Sequence, residues 1–299
     1  MTARKKAEFY LFCTTFIWGS TFVLGKIGFA YFSPFAFITV RYLLGTAAFG
    51  VIFSRHLREI PRSTWKRGAI LGILIGVGLL VQNQGLSMTT ASNAGFITGM
   101  MVIFTPLAQI ILEKKKPKLG NFIGIVVVTV GLYLLTKPGG DGGIRPGDVL
   151  VLFSSVLFGI YIVYLDVYSK EEDFIQLGFV QILSVAVVSF FFLPFETVHV
   201  QFTAASIAIV CFFALIATVV TTYVQNRYQK ETTPTAAVII FSVEPVIGAI
   251  LAYFVLNEIM GWIGVAGGAL IVGGILVSEF SEDLARKLPW STRPISEED

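Results

Sequence analysis

The chain is 299 residues long, and 55% of its residues are hydrophobic while only 14% are charged. Soluble domains carry charge on about a quarter of their residues, because water must solvate their surface. The shortage of charge excludes an ordinary soluble domain and indicates a lipid bilayer as the main solvent. The net charge of +3 comes from basic residues scattered between apolar stretches, which gives no reason to expect nucleic acid as a partner.

Ten apolar stretches follow one another along the chain, each long enough for a helix to cross a bilayer. They lie at about 8–28, 34–53, 68–87, 92–112, 119–136, 147–168, 174–194, 204–226, 233–256 and 260–279. The first stretch follows a basic segment, as in a signal peptide, but it has no small-residue cleavage site and is expected to remain as a helix. The sequence therefore predicts an all-α membrane protein of ten transmembrane helices.

All but four of the 22 Lys and Arg residues fall in segments that would share one side of the membrane with the N-terminus. The exceptions are Lys137 and Arg145 in the opposite loops, and Lys26 and Arg41 within the first two helices. Because cytoplasmic segments of membrane proteins are enriched in basic residues, both termini are expected in the cytoplasm. The expected location is a bacterial plasma (inner) membrane.

The two halves of the sequence resemble each other at a shift of about 140 residues. The matching segments are Trp18-Gly19-Ser20 with Phe158-Gly159-Ile160, Val81-Gln82-Asn83 with Val224-Gln225-Asn226, and Phe104-Thr105-Pro106 with Val243-Glu244-Pro245. Because five helices are an odd number, the second half would enter the membrane from the opposite side, which gives inverted repeats. The predicted division is a first repeat over 1–136, an outer linker over 137–146, a second repeat over 147–279 and a cytoplasmic tail over 280–299.

Two prolines inside predicted helices, Pro106 and Pro245, occupy matching positions of the two halves. Proline removes a backbone hydrogen bond and bends a helix, and interrupted helices at matching positions are a pointer to transporter substrate sites. Glu244 lies near mid-membrane, where a carboxylate is costly unless it is neutral, paired or facing water. It is the candidate for proton coupling or for binding a substrate ammonium group, and a structural hydrogen bond to the loosened backbone is the alternative.

Further polar and aromatic residues are candidates for a substrate pathway: Trp18, Ser20, Asn83, Asn93, Tyr161, Gln225 and Phe241. A pocket of this composition would suit a small amphipathic solute, although such residues also serve as ordinary contacts between helices. For Arg41 we expect a bond to a helix terminus or to a carboxylate rather than to substrate.

Glycines at four-residue spacing, such as Gly68, Gly72 and Gly76, predict close helix packing. The fifth and tenth helices, also rich in glycine, are candidates for a homodimer contact. Cys13 and Cys211 fall in apolar stretches and are expected to be small buried residues. The spacing of His, Cys and acidic residues indicates no catalytic residues, no metal and no cofactor.

The sequence resembles the ten-helix, EamA-like branch of the drug/metabolite transporter superfamily. The segments that carry this resemblance are Phe16-Ile17-Trp18-Gly19-Ser20-Thr21-Phe22 with Lys26, Pro34, Arg41-Tyr42, Phe104-Thr105-Pro106-Leu107, Glu244-Pro245-Val246-Ile247, Leu256-Asn257-Glu258 and Trp262-Ile263-Gly264. The resemblance implies two inverted five-helix repeats and transport of small metabolites.

Export of amino acids or related amphipathic solutes by alternating access is the leading functional hypothesis. An uncoupled facilitator, or a multidrug or purine exporter of the same fold, stays open as an alternative. An intramembrane enzyme is disfavoured because His56 and His199, the two histidines, lie in predicted loops on opposite sides. Phosphorylated substrates are also disfavoured, since Arg227 is the lone basic residue of helices eight to ten and lies at a cytoplasmic edge.

Overall fold

The computed structural model describes residues 3–114, 119–136, 145–258 and 262–287. Regular structure in these ranges is helical, apart from an isolated bridge between Phe32 and Val200. The α-helices are α1 (Ala3–Gly28), α2 (Pro34–Ile52), α3 (Arg62–Met88), α4 (Ala91–Gly99), α5 (Met101–Glu113), α6 (Leu119–Thr136), α7 (Pro146–Glu171), α8 (Phe174–Phe192), α9 (Ala204–Cys211), α10 (Thr221–Tyr228), α11 (Pro234–Phe241), α12 (Glu244–Leu256) and α13 (Trp262–Lys287).

In the described ranges, eight helical spans are long and apolar enough to cross a membrane. Two shorter apolar helices, Leu119–Leu134 and Trp262–Val277, lie at the fifth and tenth predicted positions. The prediction of an all-α membrane protein is therefore confirmed, whereas ten crossings, inverted repeats and cytoplasmic termini remain predictions. Residues 137–144 of the predicted linker and 288–299 of the predicted tail lie outside the described ranges.

The fourth and ninth predicted spans are each broken into two helices. The first break lies at Met100, between α4 and α5, and the second at Ser242 and Val243, between α11 and α12. Pro245 stands in the first turn of α12, where its missing N–H costs no helix bond. Pro106, in contrast, lies inside α5, well after the break. The two prolines thus differ in their relation to the breaks.

A third irregularity was not predicted by the hydropathy pattern, which indicates one continuous helix over 204–226. Nine residues of π-helix, Phe212–Val220, connect α9 to α10. A π-helix is wider than an α-helix and usually occurs as a single turn, often at functional sites. Hydropathy cannot distinguish the two helix types, because both bury the same apolar side chains.

Glycines allow the close helix contacts that their spacing predicted. A Cβ atom on Gly68 of α3 would lie 2.7 Å from the Val180 Cβ of α8, and one on Gly72 would lie 2.6 Å from the Gln181 carbonyl oxygen. The α6–α13 pair packs as closely, since a Cβ on Gly131 would lie 2.7 Å from the Gly267 carbonyl oxygen. Because α6 and α13 pack against each other on these faces, a homodimer contact through the two helices would have to use their outward faces.

Carboxylates from one half of the chain cap helix N-termini of the other half. Glu196 accepts hydrogen bonds from the backbone N–H groups of Phe35 and Ala36, at 3.0 and 2.7 Å, at the start of α2. Glu258 accepts from the N–H groups of Ala91 and Ser92, both at 3.1 Å, at the start of α4. These acceptors satisfy N–H groups that have no partner within their own helix, so they fix the two halves against each other.

Glu172 makes a similar connection at the start of α3. Its carboxylate accepts hydrogen bonds from the hydroxyl of Thr64 and, at 2.6 Å, from the guanidinium of Arg67. Burial raises the pKa of Glu172, but these hydrogen bonds outweigh burial and hold the pKa below its ordinary value of 4.5. The ionised form therefore stabilises the contact between the α7–α8 loop and α3.

Replacing Gly72 by alanine is expected to lower the melting temperature of the purified protein. The new Cβ would overlap backbone of α8, and overpacking costs about 1–3 kcal/mol. Gly273→Ala is the matched control, because a Cβ at Gly273 has no neighbouring atom within 4 Å and alanine favours the helix by up to about 1 kcal/mol. Equal melting temperatures for the two variants would show that α3 and α8 do not pack at this glycine.

Glu172→Gln is expected to lower the melting temperature at neutral pH, because hydrogen bonds to a charged group contribute about 1.5–3 kcal/mol. A carboxylate with a depressed folded-state pKa stabilises fully above its unfolded-state value and loses this contribution as pH falls. The gap between wild type and variant should therefore close below about pH 4.5. Glu171→Gln is the control, since the Glu171 side chain, which also contacts Arg67, is 53% exposed and should matter less.

Candidate functional site

A cavity lies between the two halves of the helical bundle. Its walls come from α1, α2, α3, α4 and α5 on one side and from α7, the π-helical segment, α10, α11 and α12 on the other. About 100 Å³ of it is open to the centres of water molecules. Since about 10–15 Å³ of such space is enough to hold one water, the cavity has room for several waters or for one small solute.

Six of the predicted pathway residues line this cavity: Trp18, Asn83, Tyr161, Gln225, Phe241 and Glu244. The other four lie outside its lining. The Ser20 hydroxyl donates to the carbonyl of Ile17 in its own helix, and the Asn93 N–H donates to the Thr90 side chain that caps α4. Pro106 and Pro245 are buried in α5 and α12, where the side chain of Pro245 packs against Gly99.

Several lining residues of the two halves correspond at a nearly constant shift along the sequence. The pairs at a shift of 140 residues are Trp18 with Phe158, Thr21 with Tyr161 and Phe22 with Ile162, and those at 143 residues are Leu79 with Thr222, Gln82 with Gln225, Thr98 with Phe241 and Met101 with Glu244. The two halves thus contribute side chains from corresponding positions to one cavity.

Glu244 brings a carboxylate to this space. It is the first residue of α12, 7% exposed, and a negative charge is favoured there by the dipole of the helix. Gly19 lets α1 approach this turn, because a Cβ on Gly19 would lie 2.9 Å from the Glu244 carbonyl oxygen. Within the described part of the chain, no salt bridge or hydrogen bond engages the carboxylate, so the cavity is where it can find a partner.

Arg41 brings a guanidinium to the same cavity. The sequence led us to expect a bond to a helix terminus or to a carboxylate, but Arg41 donates to the Thr218 hydroxyl at 2.7 Å and to the Ala217 carbonyl at 2.9 Å, both in the π-helical segment. Its guanidinium carbon also lies 5.0 Å from the centre of the Phe213 ring. Sequence reasoning missed these partners because they are 176 and 177 positions away.

A chain of buried hydrogen bonds leads from the cavity wall into the bundle. Gln181 donates to the Tyr161 hydroxyl at 2.8 Å, and that hydroxyl donates to Gln225 at 3.2 Å. Gln225 donates in turn to Gln229 at 2.9 Å, and Gln229 donates to the carbonyl of Ile162 at 2.8 Å. This network fixes α10 against α7 and orients the two cavity-facing groups, Tyr161 and Gln225.

Both halves of the sequence match a known protein family. The EamA-like transporter family matches residues 5–137 and 145–280. The chain belongs to this family. The EamA-like family is part of the drug/metabolite transporter superfamily, and its members are named transporters rather than enzymes. The cavity of this EamA-like protein is therefore a candidate transport site within an integral, multi-pass membrane protein.

Relatives of the EamA-like chain are similar along most of its length. An uncharacterized transporter of Archaeoglobus fulgidus is 31% identical over 92% of this chain and 86% of its own length. The uncharacterized inner membrane transporter YedA of Escherichia coli is 26% identical over 52% of this chain and 51% of its own. The crystal structure of another protein aligns with 96% of this chain and 99% of its own chain, with a TM-score of 0.75 and 20% sequence identity. At this identity the similarity supports the fold alone.

The expectation for the two cysteines is wrong. Cys13 and Cys211 are exposed rather than buried, because both lie on helix faces that turn away from the bundle. Lys26 lies in the last turn of α1, and Asp166 of α7 is buried, with its carboxylate 2.6 Å from the Lys170 ammonium group. None of these four residues lines the cavity.

Removing the Tyr161 hydroxyl is expected to destabilise the protein. Tyr161→Phe leaves the amides of Gln181 and Gln225 without their shared partner, and an unsatisfied buried polar group costs about 1–3 kcal/mol. Tyr164→Phe on the same helix is the control, because no hydrogen bond of its hydroxyl occurs in the described ranges. Thermal unfolding in detergent compares the two, and a Tyr161→Phe curve that matches the control would contradict the network.

Proposed function

We propose that this protein is a secondary transporter that moves a small metabolite by alternating access, with export of amino acids or related amphipathic solutes as its activity. The proposal includes ten transmembrane helices in two inverted five-helix repeats, with both termini in the cytoplasm. The observation that carries it is the cavity between the halves, to which corresponding positions of both halves contribute side chains. A site at the interface of two repeats is where rocking of one repeat against the other would expose a solute alternately.

Several features support the repeat organisation. Gly19 of α1 packs on the carbonyl of Glu244 in α12, and its counterpart Gly159 of α7 packs on Phe104 and Thr105 of α5, where a Cβ would lie 2.9 Å from the Thr105 nitrogen. The family match likewise falls in two segments that correspond to the two halves. The same contact thus occurs twice with the halves exchanged, as a two-fold relation between repeats requires.

The cavity chemistry supports a zwitterionic or amphipathic solute. Its apolar walls carry Trp18, Phe158 and Phe241, which would pack against a hydrophobic body. Glu244 supplies a carboxylate for an ammonium group, and Gln82 and Gln225 supply amides for further hydrogen bonds. Space for several waters is compatible with a small solute. A bacterial inner membrane is the proposed location, because the relative YedA is named an inner membrane transporter.

An uncoupled facilitator is the second candidate. The observation that favours it is the scarcity of ionisable groups on the cavity wall, where Glu244 is the one carboxylate among the described lining residues. If Glu244 serves solely to bind an ammonium group, no proton would move with the solute. A multidrug or purine exporter of the same fold is favoured by the same aromatic wall, and differs in the solute that it accepts.

Transport by purified protein in proteoliposomes tests the proposal. A panel of radiolabelled amino acids, purines and cationic drugs is offered with and without an imposed proton gradient. We expect accumulation of at least one amino acid, increased severalfold by the gradient. Accumulation of purines or cations alone would overturn the amino-acid assignment, and gradient-independent equilibration would favour the facilitator.

Glu244→Gln tests the coupling role. The amide cannot exchange a proton, so gradient-driven accumulation is expected to fall at least about tenfold, while exchange of labelled for unlabelled solute continues. Glu231→Gln makes the same chemical change in a loop outside the cavity lining and should leave both activities unchanged. Gradient-driven accumulation by Glu244→Gln at the wild-type level would exclude Glu244 as the coupling residue.

A further inference from the structure

The π-helical segment Phe212–Val220 needs a partner that keeps it in this form. Nine consecutive residues of π-helix are unusual, because the α-helical alternative has better hydrogen-bond geometry and occurs far more often. The segment forms part of the cavity wall through Phe213 and Ala217 and leads directly into α10. A change between π and α geometry there would rotate α10 and the cavity residues that it carries.

Arg41 is placed to hold this segment. Its guanidinium donates to the Thr218 hydroxyl and the Ala217 carbonyl and stacks over the ring of Phe213, all in the π-helix, and it also lies 5.1 Å from the ring centre of Tyr42 on its own helix. Helix α2 approaches closely at the next turn, where a Cβ on Gly45 would lie 3.5 Å from the Ala214 carbonyl oxygen. These contacts grip the segment over about one turn and a half.

Arg41 also has unused capacity on its cavity side. A guanidinium carries five N–H donors, and residues of the described chain accept two of those of Arg41. No carboxylate of those residues forms a salt bridge with it, although an arginine at membrane depth usually has an acidic partner or faces water. A carboxylate entering the cavity would match the planar guanidinium in bidentate geometry.

We propose that Arg41 binds the carboxylate of the transported solute and acts as a clamp on the π-helix. This inference rests on the proposed transport function and adds the residue that links binding to movement. A solute carboxylate draws the guanidinium away from Ala217 and Thr218, and the freed segment relaxes toward α-helix. Because a ligand can shift a conformational equilibrium solely through different affinities for the two states, the exchange of protein acceptors for a solute acceptor supplies that difference.

The change from π-helix to α-helix would move part of the cavity wall. An α-helix holds fewer residues per turn and rises more per residue than a π-helix, so the change turns and lengthens the segment. Helix α10 follows and carries Thr221, Thr222 and Gln225 with it. The hydrogen bond between Gln225 and Tyr161, which joins α10 to α7 at 3.2 Å, would then break or be exchanged.

The clamp is tested first without any solute, by hydrogen exchange of the full-length protein in detergent. Arg41→Gln and Thr218→Val each remove part of the clamp, and both should change amide exchange in residues 212–228 at least about tenfold, with the rest of the chain unaffected. Thr222→Val is the matched control, since Thr222 lines the cavity without contacting Arg41. Exchange in 212–228 that is the same in Arg41→Gln as in wild type would overturn the clamp, and Arg41→Lys tests it if Arg41→Gln does not fold.

The carboxylate role is tested with L-phenylalanine, benzoate and L-phenylalaninamide as probes. In the wild-type protein, phenylalanine and benzoate should each change amide hydrogen exchange in residues 212–228 in the way that Arg41→Gln does without ligand. Phenylalaninamide, which lacks the carboxylate, should not have this effect. Arg41→Gln should bind the two acids at least about tenfold more weakly. Equal effects of acid and amide, or no effect of any probe, would overturn the carboxylate role. If the two acids change exchange in residues 212–228 but the protein transports none of the tested solutes, the proposed transport function would be overturned while the Arg41 clamp would stand.

Discussion

A bilayer interior offers no hydrogen-bond partner to a free backbone amide, so irregular backbone at membrane depth must lie against protein or water. Two helix breaks and the π-helix of the described chain accordingly lie around one cavity. Met101 follows the first break, Phe241 precedes the second, and Ala217 lies in the π-helix, and each of the three lines the cavity. The position of the site therefore follows from where the helices depart from α geometry.

The amides at the two breaks are paired within their own segments. The Ser242 N–H donates to the carbonyls of Val238 and Ile239, both at 3.1 Å, and the Met100 N–H donates to the Ile97 carbonyl at 3.1 Å. The π-helix has its own backbone hydrogen bonds and, in addition, is contacted by the side chain of Arg41 from another helix. On the proposal above, it is therefore the irregular segment whose geometry a solute could influence through Arg41.

Sequence patterns predicted the parts of this arrangement that depend on local chemistry. Apolar length located the spans, and the rarity of a carboxylate in an apolar stretch singled out Glu244. The carboxylate caps by Glu196 and Glu258, the contact of Arg41 with Ala217 and the π-helix could not be predicted, because each depends on residues more than 150 positions apart or on a helix type with the same hydropathy. Pro106 is a case in which a local pattern misleads. The sequence predicts that this proline interrupts its helix, but Pro106 lies inside the continuous helix α5.

The two ionisable groups of the cavity favour polar solutes. Neither Arg41 nor Glu244 has an oppositely charged partner in the described chain, so water or a polar solute is the further partner available to the Glu244 carboxyl group and to the remaining N–H groups of Arg41. A wholly apolar solute would displace water from these groups without replacing its hydrogen bonds, which costs free energy. A solute with polar groups at suitable positions replaces those hydrogen bonds while its apolar part packs on Trp18 and Phe241. On the proposed function, the site would therefore discriminate against purely apolar compounds, because they cannot replace the water bound to Arg41 and Glu244.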